Sequence, residues 1–227
     1  MAKTTDLMPS AVQDIRVQAE RILFDASVVL DNQHFVYISG DHGSGWINKD
    51  VLYLEPGRVS TLAEMLAQLL SGVEADVVCG PATGGLVISQ WLAYHMKLKS
   101  IFAEHEVKMV DGDHSMRPPF VLKRHYDKVA AGQRVIVVDD IINTGHSIIQ
   151  TMAAVKRAGG IVVCAATICD RGNVDVAHID APQMVALTEI KIPSWPADTC
   201  RLCTDGIPIN VEYAHGKDYM QLLQADP

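Results

Sequence analysis

The stretch "VIVVDDIINTGHS", Val135–Ser147, decides the fold. Four β-branched apolar residues read as a buried strand, two adjacent carboxylates follow, and Thr144-Gly145 opens a helix. Neighbouring carboxylates repel each other, so Asp139-Asp140 suits a ligand that uses both, such as a hydroxyl pair or a bound cation. Asn143, Thr144, Gly145, His146 and Ser147 add hydroxyls and helix-start N–H groups, with a glycine that lets the main chain approach: an anion cradle. The carboxylates themselves repel a phosphate but suit sugar hydroxyls beside it, so the expected ligand is a ribose 5-phosphate. Both acids are expected to be exposed at the strand end. The plainer alternative is a strand end whose acids merely favour the next helix N-terminus.

On either side of this stretch, strands and helices alternate. "DVVCG" reads as a strand, "GGLVISQWLAYHMK" as a helix, "SIFAE" and "PFVLKR" as strands, Gly145 to Ala158 as a helix, and "IVVCAATICD" as a strand. Such alternation predicts an α/β fold with an open, mainly parallel sheet flanked by helices. Ligands of such sheets bind at the carboxyl ends of the strands, so "CGPATGG", "VDDIINTGHS" and "CDRGN" should converge on one crevice. Upstream, Ser10 with Gln13 and Thr61 with Glu64 read as capping boxes opening two amphipathic helices, with a loop-rich strand pair between them around "SGDHGSGWINKD". The expected organisation is one domain over 1–227, with a small N-terminal hood over about 1–60 and a Cys-containing tail over about 193–227.

The chain has 227 residues, 48% of them apolar, and a net charge of −8. This is globular composition, and the acidic balance argues against a nucleic-acid partner. No run approaches a membrane span and the start lacks a secretory apolar core, so a soluble, cytoplasmic protein is expected. Cys79, Cys164 and Cys169 lie in apolar runs and read as reduced core thiols. Cys200 and Cys203 have metal-ligand spacing, but no second C-x-x-C or nearby paired His completes a site along the sequence. His105, His114 and His125 form no metal cluster by spacing, so no protein metal site is predicted.

Strand, Asp-Asp, two spacers and Thr-Gly-x-Ser resembles the phosphoribosyl pyrophosphate motif of type I phosphoribosyltransferases. The resemblance implies that Asp139, Asp140 and residues Asn143 to Ser147 hold the ribose and 5-phosphate, and that Pro81, Ala82, Thr83, Gly84 and Gly85 form the pyrophosphate loop. "HFVYISGDHGSGWINKD" resembles the hood motif of orotate phosphoribosyltransferases, with Trp46 where Tyr or Phe is usual, Asn48 for the frequent Asp, and Ile38 at a place often basic. Asp170-Arg171-Gly172 stands where that family presents a guanidinium to the orotate carboxylate. Trp46 and Arg171 are therefore expected at the base.

"FAEHEVKMVDGDHSMRPPFVLKR" stands where the family has its mobile catalytic loop. The usual Arg-Lys pair is absent, with His105 and Glu106 nearby, and Lys108, His114 and Arg117 are all loop candidates. The resemblance implies transfer of a phosphoribosyl group to orotate, Mg²⁺ bound mainly through phosphoribosyl pyrophosphate, and a homodimer. Two rival readings stay open: a transferase for a purine or another base, and a regulator that binds phosphoribosyl pyrophosphate without turnover.

Overall fold

Pro9 and Pro56 open the first two long helices of the computed structural model, which describes residues 4–37, 39–106, 118–172 and 174–225. The first helical position suits proline, whose φ is already helical and whose missing N–H has no intrahelical acceptor there. Each helix thus begins ahead of its expected capping box. Ser10 and Thr61 lie inside, and the Thr61 hydroxyl donates back to the Gly57 carbonyl at 3.0 Å.

In chain order the first elements are α1 (Pro9–Asp25), β1 (Val29–Leu30), β2 (Phe35–Val36), β3 (His42–Gly43), β4 (Trp46–Ile47), α2 (Lys49–Tyr53) and α3 (Pro56–Leu69). The central run is β5 (Val77–Pro81), α4 (Gly84–Met96), β6 (Lys99–His105), β7 (Phe120–Val121), α5 (Tyr126–Ala130), β8 (Arg134–Ile142), α6 (His146–Arg157), β9 (Ile161–Asp170), α7 (Val176–Ile179) and β10 (Met184–Glu189). The chain closes with β11 (Ser194–Trp195), α8 (Arg201–Thr204) and α9 (Gly216–Ala225). No helix among the described residues is long and apolar enough to cross a membrane.

Two compact units result: Met1–Ala19 with Pro56–Ile190, and Glu20–Glu55 with Lys191–Pro227. The larger holds a six-stranded sheet in the order β10-β9-β8-β5-β6-β7, parallel except where the edge strand β7 runs antiparallel to β6. From β5 the chain steps through α4 to β6, and from β8 through α6 to β9 in the opposite direction. Right-handed crossovers therefore put α4 and α6 on opposite faces. The strand order reverses between β5 and β8, which makes their carboxyl ends the crevice of the sheet. Alternate residues of β5 and β8, Val77, Cys79, Val135 and Val137, share one core layer with Ile148, Met152 and Val155 of α6. Strand β10 is not signalled by the alternation of the sequence, because the crossover helix before it has only four residues.

The smaller unit pairs β1 with β4 and builds a three-stranded sheet β11-β3-β2, both antiparallel. Its buried apolar residues are few and centre on Leu23, Phe35, Val36, Ile47 and Leu52. Cys79, Cys164 and Cys169 are free and buried, and burial pushes their thiols up to about 12, 12 and 11, so they stay protonated near neutral pH.

Candidate active site

Strand β8 runs through both carboxylates to Ile142, so Asp139 and Asp140 lie within the strand rather than beyond it. They are 7% and 2% exposed, which corrects the expectation of exposed strand-end acids. The reason is backbone pairing: β9 continues beside β8 with Asp139 opposite Thr167 and Ile142 opposite Asp170. The Asp139 carboxylate accepts from the Asp140 N–H at 2.9 Å, and the Asp140 carboxylate from the Ile141 N–H at 2.7 Å. Thr167 Oγ1 donates to the Asp140 carbonyl at 3.1 Å, fixing the main chain beneath the pair.

Beyond Ile142 the chain turns at Asn143, Thr144 and Gly145 into α6. Gly145 has φ +78°, and a Cβ there would come within 2.6 Å of Ile179 Cγ2, so neither the backbone nor the space accommodates a side chain. Asn143, Thr144 and His146 are exposed, and the first N–H groups of α6 have neither intrahelical acceptors nor a side-chain cap from Gly145. The His146 ring is turned along its own helix, where Nε2 accepts from Gln150 Nε2 at 2.7 Å, so His146 offers the cradle its main chain. A cavity of about 150 Å³ is lined by Asp139 and by Asn143 to Ser147. A larger cavity of about 930 Å³ lies at the amino-terminal ends of β9 and β10, beside Val162 and Met184. Ligands of open α/β sheets bind at the opposite, carboxyl ends, so the smaller cavity is the candidate site.

Two further turns close on this one. Pro81 ends β5, Ala82 and Thr83 follow with a cis peptide between them, and Gly84 and Gly85 begin α4. A Cβ on Gly80 would overlap the Gly85 carbonyl, and one on Gly85 would lie 2.9 Å from the Val138 carbonyl, immediately before Asp139. The glycine pair thus presses this turn onto β8. On the other side, the Arg171 N–H donates to the Ile142 carbonyl at 2.8 Å, and a Cβ on Gly172 would overlap the Asn143 carbonyl. Asp170 shapes that turn, its carboxylate accepting from the N–H groups of Gly172 and Val174 at 3.0 Å each. All three expected turns therefore converge within the larger unit.

Trp46 lies on β4 of the smaller unit, stacked on Tyr37 with ring centroids 6.3 Å apart. Lys108, His114 and Arg117 fall outside the described residues, as does Ile38. The described base of the loop is a short ladder: His105 pairs with Phe120 and stacks on its ring, and His105 Nδ1 donates to the Pro118 carbonyl at 2.6 Å. Arg124 forms an ion pair with Glu104 beside it, and that pairing holds the Glu104 carboxyl below the usual carboxylate range. What the spacing of the sequence does not reveal is that ring nitrogens of His34 and His42 lie beside the sulfurs of Cys200 and Cys203 within the smaller unit.

Paired carboxylates and a glycine-bounded helix start lie at the switch point of a doubly wound sheet, the place where such folds bind phosphate-bearing ligands. A profile of the phosphoribosyl transferase domain matches residues 51–202, and the chain belongs to that family of glycosyl-transferring enzymes. It is 34% identical over 188 residues to the orotate phosphoribosyltransferase of Caulobacter vibrioides (strain NA1000 / CB15N), covering 82% of this chain and 90% of that one. The crystal structure of orotate phosphoribosyltransferase from Aeropyrum pernix matches with a TM-score of 0.57 and 25% identity, over 74% of this chain and 92% of that chain. That of adenine phosphoribosyltransferase from Thermoanaerobacter pseudethanolicus matches with a TM-score of 0.55 and 20% identity, over 64% and 88%, a likeness of fold alone.

Proposed function

We propose that this chain transfers the 5-phosphoribosyl group of phosphoribosyl pyrophosphate to orotate, releasing pyrophosphate and giving orotidine 5′-monophosphate. The observation that supports the reading is the packing of the Arg171 turn against the Asn143–Ser147 turn, at the end of the strand that carries Asp139 and Asp140. The identity to orotate phosphoribosyltransferases over most of the chain supports it.

In this reading the first N–H groups of α6, with the Thr144 and Ser147 hydroxyls, receive the 5-phosphate, and the helix dipole favours its charge. Asp139 and Asp140 accept from the ribose hydroxyls. As the bond to pyrophosphate lengthens, the anomeric carbon gains positive charge, and the two carboxylates stabilise it from fixed positions. Main-chain groups of the turn from Pro81 to Gly85 receive the departing pyrophosphate. Arg171 offers a two-pronged guanidinium to the orotate carboxylate, and Trp46 is assigned to the base. Among the described residues Asp139 and Asp140 belong to no group of three metal-ligating side chains, which suits Mg²⁺ held mostly by substrate oxygens, where it would neutralise the diphosphate. The homodimeric and cytoplasmic readings belong to the same proposal, and light scattering of the purified chain tests the first.

The test is a screen of orotate, uracil, adenine, guanine and hypoxanthine with phosphoribosyl pyrophosphate and Mg²⁺, following pyrophosphate release. Orotate is expected to be the efficient acceptor. Turnover of a purine instead overturns the base assignment and keeps the transferase, whereas binding without release with every base points to the regulator.

A further inference from the structure

His34, His42, Cys200 and Cys203 take no part in the proposed reaction, yet their ligand atoms lie within 4.8 Å of one another inside the smaller unit. His34 Nε2 is 2.8 Å from His42 Nδ1, 3.7 Å from Cys200 Sγ and 3.8 Å from Cys203 Sγ, and Cys203 Sγ is 3.3 Å from His42 Nδ1. Zinc–nitrogen bonds of about 2.0–2.1 Å and zinc–sulfur bonds of about 2.3 Å imply tetrahedral edges of roughly 3.3–3.8 Å. Three of the four distances meet those edges, and the nitrogen pair is drawn in by about half an ångström.

The scaffold presets these atoms. His34 leads into β2 and His42 sits on β3, antiparallel partners in one sheet, so the two rings face each other at 4.9 Å between centroids. Cys200 caps α8 and Cys203 follows one turn later, which brings both sulfurs to one side of the helix. The segment after α8 is tied to the same strand: the Asn210 N–H donates to the His34 carbonyl at 2.7 Å. The His34 tautomer is also set. Its Nδ1 lies 2.7 Å from the Ile207 carbonyl, which can only accept, so Nδ1 carries the proton and Nε2 presents its lone pair to the cluster. An imidazole whose other N–H is held by a backbone carbonyl is the usual arrangement for a zinc ligand. In His42 it is Nδ1 that faces the cluster, while Nε2 is buried and makes no hydrogen bond.

We propose that these four side chains bind one zinc ion as a closed Cys₂His₂ site. Two thiolates and two imidazoles in tetrahedral disposition suit zinc among the common divalent cations. Four protein ligands leave no open position for substrate, so the role is structural. The smaller unit needs such a staple: it joins two segments far apart in sequence over a small apolar core, and the ion ties the β2–β3 hairpin to the C-terminal segment.

The experiment is metal analysis of the full chain, purified, exposed to zinc and desalted, followed by replacement of zinc with cobalt. About one equivalent of zinc per chain is expected, and the cobalt form should show the visible bands of tetrahedral Co²⁺ with thiolate-to-cobalt charge transfer. Cys203→Ser changes the exposed ligand and should weaken zinc binding at least about tenfold. A folded wild-type chain that keeps under a tenth of an equivalent overturns the proposal, as does a cobalt form without thiolate charge transfer. Because both readouts use the wild-type chain, a Cys203→Ser protein that failed to fold would not shield the proposal.

Discussion

Asp139 and Asp140 sit where a polar group is costly unless it is hydrogen-bonded, and each accepts a main-chain N–H one residue ahead. Their replacement therefore affects more than chemistry. Asp139→Asn with Asp140→Asn should lower turnover by about 10²–10³ or more, the scale for losing a preorganised electrostatic partner. It should also cost about 1–3 kcal/mol of stability, because an amide N–H₂ meets groups arranged for a carboxylate. Steady-state rates and chemical denaturation of the same sample measure both, and a folded double variant with wild-type turnover would remove the pair from the site. Arg171 is the residue to which base choice is assigned. Its turn is held by Asp170 and by the Ile142 carbonyl, so truncating the side chain leaves the main chain in place. Arg171→Ala should weaken orotate by about 2–4 kcal/mol while phosphoribosyl pyrophosphate affinity changes little. Calorimetric titration with each ligand separates the two, and normal use of orotate by the variant would end the assignment of this residue.

Among the elements, β5 and β8 border the switch point, and a charge clamp holds their entry. Arg134 Nε and Nη2 donate to both carboxylate oxygens of Asp76 at 3.0 Å, and the Arg134 N–H donates to Oδ2 at 2.9 Å. These bonds pull the Asp76 carboxyl down from 3.8 to about 2. A carboxyl depressed in the folded state contributes its stabilisation in full above 3.8 and loses it as pH falls towards about 2. Asp76→Asn should therefore melt below wild type at pH 6, with a gap that narrows as melting is repeated down to pH 3. A gap independent of pH would mean that the clamp acts through packing alone. Most of this architecture is legible in the sequence, because β5, β8 and β9 each contain an apolar run punctuated by glycine or acid, and period and punctuation agree. Signals that depend on distant partners are not. The burial of Asp139 and Asp140 requires β9 to extend alongside, β10 follows a one-turn crossover, and His34 meets Cys200 across 166 positions. Helix starts at Pro9 and Pro56 were open to reading, but the Ser10 and Thr61 patterns just downstream imitate caps.

For the whole molecule, the cradle, the Pro81–Gly85 turn and the Arg171 turn all lie in the larger unit, so a ligand seated there binds the folded state and not the unfolded chain. Mass action then converts occupancy into stability: at about a hundred times its Kd a ligand adds about 2.7 kcal/mol. For a chain of this size each kcal/mol moves the melting temperature by about 2–4 °C. Phosphoribosyl pyrophosphate with Mg²⁺ and no base should thus raise the wild-type melting temperature by about 5–10 °C. The double Asp139→Asn, Asp140→Asn variant should show a much smaller rise, since the ribose hydroxyls lose their carboxylate acceptors while the 5-phosphate cradle at α6 is retained. Scanning calorimetry at rising ligand concentration makes the measurement, with inorganic phosphate as the comparison for the cradle alone. An unchanged melting temperature at millimolar phosphoribosyl pyrophosphate would overturn the ligand assignment, and would do so without reference to the acceptor base, because no base is present in the experiment.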